Sequence, residues 1–276
     1  MLNTKTLNFS RKNADVFTIS HRGVWAHAPE NSLKALEAAI SLGAEIVEID
    51  TQRCLSGEFI VIHDSRLDRT TTGKGDVSQS SLEYIQSLYL LESDGSTKKA
   101  TEDRVPLLSE ALELARNRII INVDAKRPDE LLDIVHYIEE LGLQDQVIIK
   151  STVQSEVTKD VIDIAQRVMH IPIVYAAKGN LLQCIEMLEP LAPKMIELFF
   201  EDFEEFLSVQ PLLDKLDYRI WLNTLDQVNV LGYCDHQALR NPALIWGELI
   251  RAKVGALQTD QTLFLRNFLA EKNSSI

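Results

Sequence analysis

The sequence predicts an α/β fold, a TIM (β/α)8 barrel with a small insertion after an early β-hairpin. Short β-rich runs alternate with helical runs along most of the chain, the pattern of βαβ units that build a parallel sheet. One connection between strand-like runs is too short for a parallel crossover, and one stretch, 65–106, breaks the alternation altogether. The whole of 1–276 is therefore read as one barrel domain carrying an insertion at 65–106.

The strand-like runs are 17–20, 45–50, 59–62, 119–123, 147–150, 171–175, 195–199, 219–222 and 256–259. Helical spacing marks 32–42, 108–116, 129–141, 153–165, 181–188 and 242–253. In the first of these, Leu33, Leu36, Ala39 and Ile40 follow the capping-type pair Asn31-Ser32. Nine strand candidates are one too many for the barrel. Parallel neighbours need a crossover of a dozen or so residues, and between Asp50 and Phe59 there is no room for one. Ser56-Gly57 suits a two-residue hairpin turn instead. That turn sets Leu55 opposite Glu58 and Asp50 opposite His63, with Cβ atoms about 5 Å apart. Removing this return strand leaves eight parallel strands. The stretch 65–106 is rich in Thr, Ser, Gly and charge, with one helix-like piece at 82–90, and is expected to cover the barrel mouth and shape substrate choice. The region 223–241 lacks periodicity and is expected to be a long loop.

Of the 276 residues, 45% are hydrophobic and 25% charged, an ordinary globular composition. No apolar run is long enough to span a bilayer, and the first fifteen residues lack the apolar stretch of a secretory signal. No stable membrane insertion is expected, and the chain reads as a soluble, cytoplasmic protein. Cys54, Cys184 and Cys234 fit neither a disulfide framework nor a zinc spacing. A net charge of −13 argues against a nucleic-acid partner, while a small phosphorylated substrate needs only a local cluster of cations. Oligomeric state is not legible.

Three clusters stand at the ends of strand-like runs. They are His21-Arg22-Gly23 with Pro29-Glu30-Asn31-Ser32, then Glu48-Ile49-Asp50 joined through the hairpin to His63-Asp64, and Asp124-Ala125-Lys126. Residues i and i+2 of a strand share a face, so Glu48 points with Asp50 and Asp124 with Lys126. Carboxylates converging at a barrel mouth call for a cation, and all-oxygen ligands suit a hard divalent ion such as Mg²⁺ or Ca²⁺. Arg22 and Lys126 can hold a phosphate. His21 and His63 remain as an acid and a base, with ordinary pKa values of about 6.5. Each piece has a bland alternative: a solvated strand edge, a structural histidine, a rim ion pair. All three alternatives would have to hold together.

The run His21-Arg22-Gly23, Pro29-Glu30-Asn31-Ser32, Gly43-Ala44, Glu48-Ile49-Asp50, Gly57, His63-Asp64, Leu67-Asp68-Arg69-Thr70-Thr71, Gly73 and Gly75 resembles the glycerophosphodiester phosphodiesterase signature. The likeness continues more weakly through Asp124-x-Lys126, Trp221 with Asn223, and Gln258-Thr259-Asp260. It implies a TIM barrel with a small insertion, metal ligands at Glu48, Asp50 and Asp124, and an acid–base pair of His21 and His63. Mg²⁺ or Ca²⁺ would be the cofactor, or else Mn²⁺. It implies phosphate binding by Arg22 and Lys126, Glu30 beside the reacting centre, and Trp221 as a substrate contact. The implied chemistry splits a small-molecule glycerophosphodiester into glycerol 3-phosphate and an alcohol, the glycerol 2-hydroxyl attacking phosphorus to give a cyclic phosphate that water opens. The third ligand is usually Glu in such proteins. Asp124 is shorter by one carbon–carbon bond, about 1.5 Å, which leaves open ligation through water. The late Trp-Thr-x-Asn type motif reads Trp221-Leu222-Asn223. Alternatives are a relative acting on lysophospholipids or sugar phosphodiesters, with a cyclic phosphate product, and a barrel that only binds phosphorylated ligands. His27, His136, His170 and His236 read as structural or surface residues.

Overall fold

A computed structural model describes residues 5–273. Its strands are β1 Phe17–His21, β2 Ile46–Arg53, β3 Phe59–Val61, β4 Tyr89–Leu91, β5 Ala100–Arg104, β6 Ile120–Ala125, β7 Val147–Thr152, β8 Met169–Ala176, β9 Met195–Phe200, β10 Arg219–Asn223 and β11 Val254–Thr259. Hydrogen-bonded neighbours run β1-β11-β10-β9-β8-β7-β6-β2-β3, and β1 also pairs with β2. Eight parallel strands thus form a closed barrel with helices between them, and β3 is its antiparallel appendage. Each expected parallel strand is present, and so is the hairpin. No helix among the described residues is long and apolar enough to cross a membrane.

The chain packs as two compact units, Ser20–Ile149 and Lys5–Ile19 with the residues from Lys150 onward. In the first, β2 lies parallel to β6 with Glu48 beside Asn122 and Asp50 beside Asp124. Both strands are buried along most of their length, and β2 carries Glu48, Asp50, Thr51 and Gln52, and β6 Asn122 and Asp124, among their Ile and Val residues. Ser32 caps the helix Leu33–Ser41 by accepting from the Ala35 amide at 3.0 Å. The second unit is built round an apolar core that includes Leu181, Ile196, Phe206, Leu213, Trp246 and Leu257. Buried Arg219 in that unit donates to the carbonyls of Phe9, Ser10, Asn13, Asp15 and Gly255.

Four details differ from the sequence reading. The hairpin register is shifted by one: Thr51 pairs with Val61 and Arg53 with Phe59, and the Ile62 amide donates to the Asp50 carbonyl. Asp50 therefore faces Ile62 and not His63. The cause is a three-residue loop, Leu55-Ser56-Gly57, closed by Cys54 N–H to Glu58 O at 3.0 Å, with Gly57 at φ +102°. A three-residue loop with glycine at positive φ is the next commonest hairpin solution. The helix expected at 153–165 runs instead over Lys159–Arg167, capped by Thr158, because Val153 is drawn into backbone pairing with Ile173. The region 223–241 contains the helix Asp235–Arg240. Finally, 65–106 is more ordered than its composition suggested. It holds a helix at Leu82–Ser87 and the β4–β5 ribbon, over a small core of Leu67, Val77, Ile85, Leu88, Leu90 and Val105.

Candidate active site

The first unit gathers most of the expected residues at the C-terminal ends of β1, β2 and β6, the end at which barrel enzymes place their chemistry. After His21 the chain turns sharply, with Arg22 at φ +56° and Gly23 at φ +78°. A Cβ on Gly23 would lie 2.6 Å from the Ala35 backbone, so only glycine lets β1 run this close to the following helix. The turn aims the Arg22 amide at Glu48 Oε2, 3.0 Å away. Asn31, itself at φ +59°, straddles Asp50: its Oδ1 accepts from the Asp50 amide at 3.1 Å and its Nδ2 donates to Asp50 Oδ2 at 2.7 Å.

Glu48, Asp50 and Asp124 each offer an oxygen within 4.8 Å of the others. Asp124 reaches the group despite its shorter side chain because its strand is in register with Asp50. Lys126 Nζ lies 2.7 Å from Asp50 Oδ1 and 2.5 Å from Asp124 Oδ2, and Arg22 Nε lies 3.1 Å from Asp50 Oδ2. Burial, followed by the Asp50 charge, pushes the Glu48 carboxyl up. Burial acts on Asp50 in the same sense, but Lys126 and Arg22 outweigh it and hold that carboxyl well below the usual range. For Lys126, three carboxylates outweigh burial and keep the ammonium protonated.

Around this centre lies a second ring of charge. Glu30, 3% exposed, accepts from Arg22 Nη1 at 3.1 Å and from Arg69 Nη2 at 2.6 Å. Asp64 receives Arg69 Nε at 2.8 Å and contacts His63 Nδ1 at 2.7 Å. The Arg69 hydrogen bonds, opposed by partial burial, bring the Asp64 carboxyl down to about 2. Five acidic side chains (Glu30, Glu48, Asp50, Asp64, Asp124) outnumber three fixed cations (Arg22, Arg69, Lys126). The all-oxygen trio suits a hard cation, and its crowded, partly destabilised carboxylates are what such an ion would relieve. The residues present fit the metal the sequence reading expected.

Trp221 belongs to the second unit, where it is fully buried. Its Nε1 donates to Asn223 Oδ1 at 2.8 Å, Asn223 Nδ2 donates to Glu197 Oε1 at 2.7 Å, and Glu197 pairs with Lys150 at 2.7 Å. The Lys150 ammonium sits 4.6 Å over the Trp221 ring. Lys150 and Glu197 each stand alone in a strand-like run, where nothing in the sequence distinguishes a buried ion pair from a rim charge. Arg69 belongs to the signature-like run, but the sequence assigns it no task. Asp226, Cys234 and His236 also bring ligand-type atoms within 4.8 Å. There the Asp226 carboxylate accepts from the His236 amide at 2.9 Å and closes the turn into the helix Asp235–Arg240.

A family model described as the glycerophosphoryl diester phosphodiesterase family matches residues 21–178, and a model of a domain of unknown function matches 170–269. A glycerophosphodiester phosphodiesterase of Caldanaerobacter subterraneus is 34% identical over 142 residues, covering 48% of this chain and 56% of that protein. The chain thus spans little more than half the length of that curated relative. Among solved structures, a glycerophosphoryl diester phosphodiesterase of Parabacteroides distasonis superposes with a TM-score of 0.76 at 22% identity, over 97% of this chain and 90% of that one. An Oleispira antarctica phosphodiesterase in complex with the product sn-glycerol-3-phosphate gives 0.69 at 20% identity, over 92% and 96%. At these identities the structural likeness concerns the fold.

Proposed function

This chain belongs to the glycerophosphoryl diester phosphodiesterase family, and from that membership we propose that it hydrolyses glycerophosphodiesters to glycerol 3-phosphate and an alcohol with the aid of a divalent cation. The reading takes 1–276 as one catalytic barrel with 65–106 as its insertion. The observation that carries it is the trio Glu48, Asp50 and Asp124, with Arg22 and Lys126 in contact with Asp50. Mg²⁺, Ca²⁺ or Mn²⁺ held by the trio would supply Lewis acidity toward a phosphoryl oxygen.

The remaining chemistry falls to the chain's own residues. Arg22 and Lys126 neutralise and orient the phosphodiester, Arg22 as a fork and Lys126 as a point charge. Ionised Asp64 accepts from Nδ1–H of His63, which leaves the Nε2 lone pair to take a proton. His63 Nε2 removes the proton of the glycerol 2-hydroxyl as its oxygen bonds to phosphorus. His21 gives a proton to the alcohol oxygen as the bond to phosphorus breaks. Water then adds to the cyclic phosphate with the two histidines in reversed roles, and the 2-hydroxyl is regenerated.

The test is a panel of glycerophosphodiesters with different alcohols, assayed with chelator and after restoring each metal. Release of glycerol 3-phosphate should stop with chelator and return with metal. His21→Ala and His63→Ala should stay folded and lose kcat by about 10²–10⁴-fold. Full turnover in metal-stripped protein removes the metal from the reading, and no glycerol 3-phosphate from any substrate overturns the function.

A further inference from the structure

Arg69 lies in the insertion, after His63-Asp64, and touches none of the three carboxylates that would hold a cation. Nevertheless each of its five N–H donors has an acceptor. Nε and Nη2 make a two-pronged contact with Asp64 Oδ2 and Oδ1, both at 2.8 Å. Nη1 and Nη2 make a second with Glu30 Oε2 at 3.0 Å and Oε1 at 2.6 Å. The last donor, on Nη1, goes to the Asp94 carbonyl at 2.8 Å. One planar guanidinium thereby fixes the carboxylate that holds His63 and the carboxylate that holds Arg22.

The backbone of Arg69 is itself clamped by the β4–β5 connection. Lys98 Nζ donates to the carbonyls of Arg69 at 3.1 Å and Asp68 at 3.3 Å. Gly95, at φ +79°, runs so close that a Cβ there would stand 2.1 Å from the Arg69 carbonyl oxygen. The same loop accepts the Glu30 amide on the Ser93 carbonyl at 2.9 Å. From this geometry we infer that Arg69 is a positioning residue, which orients His63 through Asp64 and Arg22 through Glu30, and that the loop 92–98 is the clamp that holds Arg69 in place. The inference rests on the phosphodiesterase reading for its kinetic consequences and stands on geometry alone for its structural ones. It gives the insertion a task in the chemistry besides shaping the mouth.

Lysine at 69 keeps a charge but cannot span two carboxylates, since its three donors radiate from one atom. Arg69→Lys should remain folded, keep KM within about twofold, and lose kcat about 10–100-fold, the scale seen when a group supporting an active side chain is removed. The losses in Arg69→Lys and Asp64→Asn should not multiply, because both reach His63 through Asp64: the double variant should be slower than Asp64→Asn alone only by the share that Arg69 carries through Glu30. Substrate-free ¹⁵N spectra of histidine-labelled protein should show His63 protonated on Nδ1 in the parent protein and as mixed tautomers in Arg69→Lys. Gly95→Ala, which displaces the loop while sparing the Arg69 side chain, should give the same mixing. Unchanged His63 spectra in both variants, or losses that multiply in the double variant, overturn the inference. A parent protein that hydrolyses no phosphodiester removes the functional reading, and the spectra then decide the positioning role by themselves.

Discussion

Replacing Lys126 with methionine should separate its electrostatic task from that of a metal. The ammonium lies 2.7 Å from Asp50 Oδ1 and 2.5 Å from Asp124 Oδ2, with 23% of its side chain exposed. Two unit charges about 4 Å apart attract by about 4 kcal/mol at an effective dielectric of about 20. Removing one partner of a buried pair costs about 3–5 kcal/mol in practice. Metal-free Lys126→Met should therefore unfold about 10 °C lower, at the 2–4 °C per kcal/mol of chains near this length. The ammonium contacts two of the three carboxylates that would hold an ion, so its removal should tighten ion binding. Thermal unfolding of both proteins in chelator, then at rising Mg²⁺, measures this as a stabilisation that grows with the ratio of ion concentration to Kd. The ion-induced rise should be larger in Lys126→Met than in the parent. An equal or smaller rise, or no loss of stability in chelator, refutes the competition.

Arg219→Met should cost about 3–5 kcal/mol in urea unfolding, because five carbonyls lose a charged donor in a buried setting. Gly255→Ala should approach that loss, since its Cβ would lie 2.7 Å from Arg219 Cγ; wild-type midpoints for both would refute the assignment. Asp235, 1% exposed, is pushed up to about 7 by burial, against hydrogen bonds from Thr224, Thr259 and the Asp260 amide. Between about pH 4 and 7 the folded protein keeps a proton that the unfolded chain releases, so this contribution to stability declines as pH rises and levels off above 7. The full span is about 4 kcal/mol from the 3.8 and 7 end points, and Asp235→Asn should flatten that part of the urea-unfolding profile.

The eight parallel strands were legible because each is a short apolar run bounded by turns or helices, and burial on both faces demands that pattern. Glu48, Asp50 and Asp124 were legible because they fall, with His21, His63 and Lys126, in three clusters at strand ends, whose bland readings would all have to hold at once. The hairpin was legible as a hairpin, but its register hung on whether Gly57 closes a two- or a three-residue loop, and both satisfy the same residues. The ribbon of 65–106 escaped notice because Tyr89–Leu91 and Ala100–Arg104 are short, and one of them alternates Thr and charge. Arg69 stood in the signature-like run Leu67–Thr71, but nothing in that run told what it would touch. Only the fold brings Glu30, Asp64 and Asp94 to it from three separate stretches.

The partner that β3 acquires on its far side has a consequence for association between molecules. In a sheet otherwise closed on itself, β3 is the strand left with an open edge, and such edges recruit other chains. Here Ile60 bridges Leu107, and the Val61 amide is taken by the Pro106 carbonyl at 2.8 Å. Proline has no N–H to offer a further strand. A shortened variant made to test the insertion should therefore retain Pro106 and Leu107. Cutting through them would bare the Val61 amide and turn a study of substrate choice into one of aggregation.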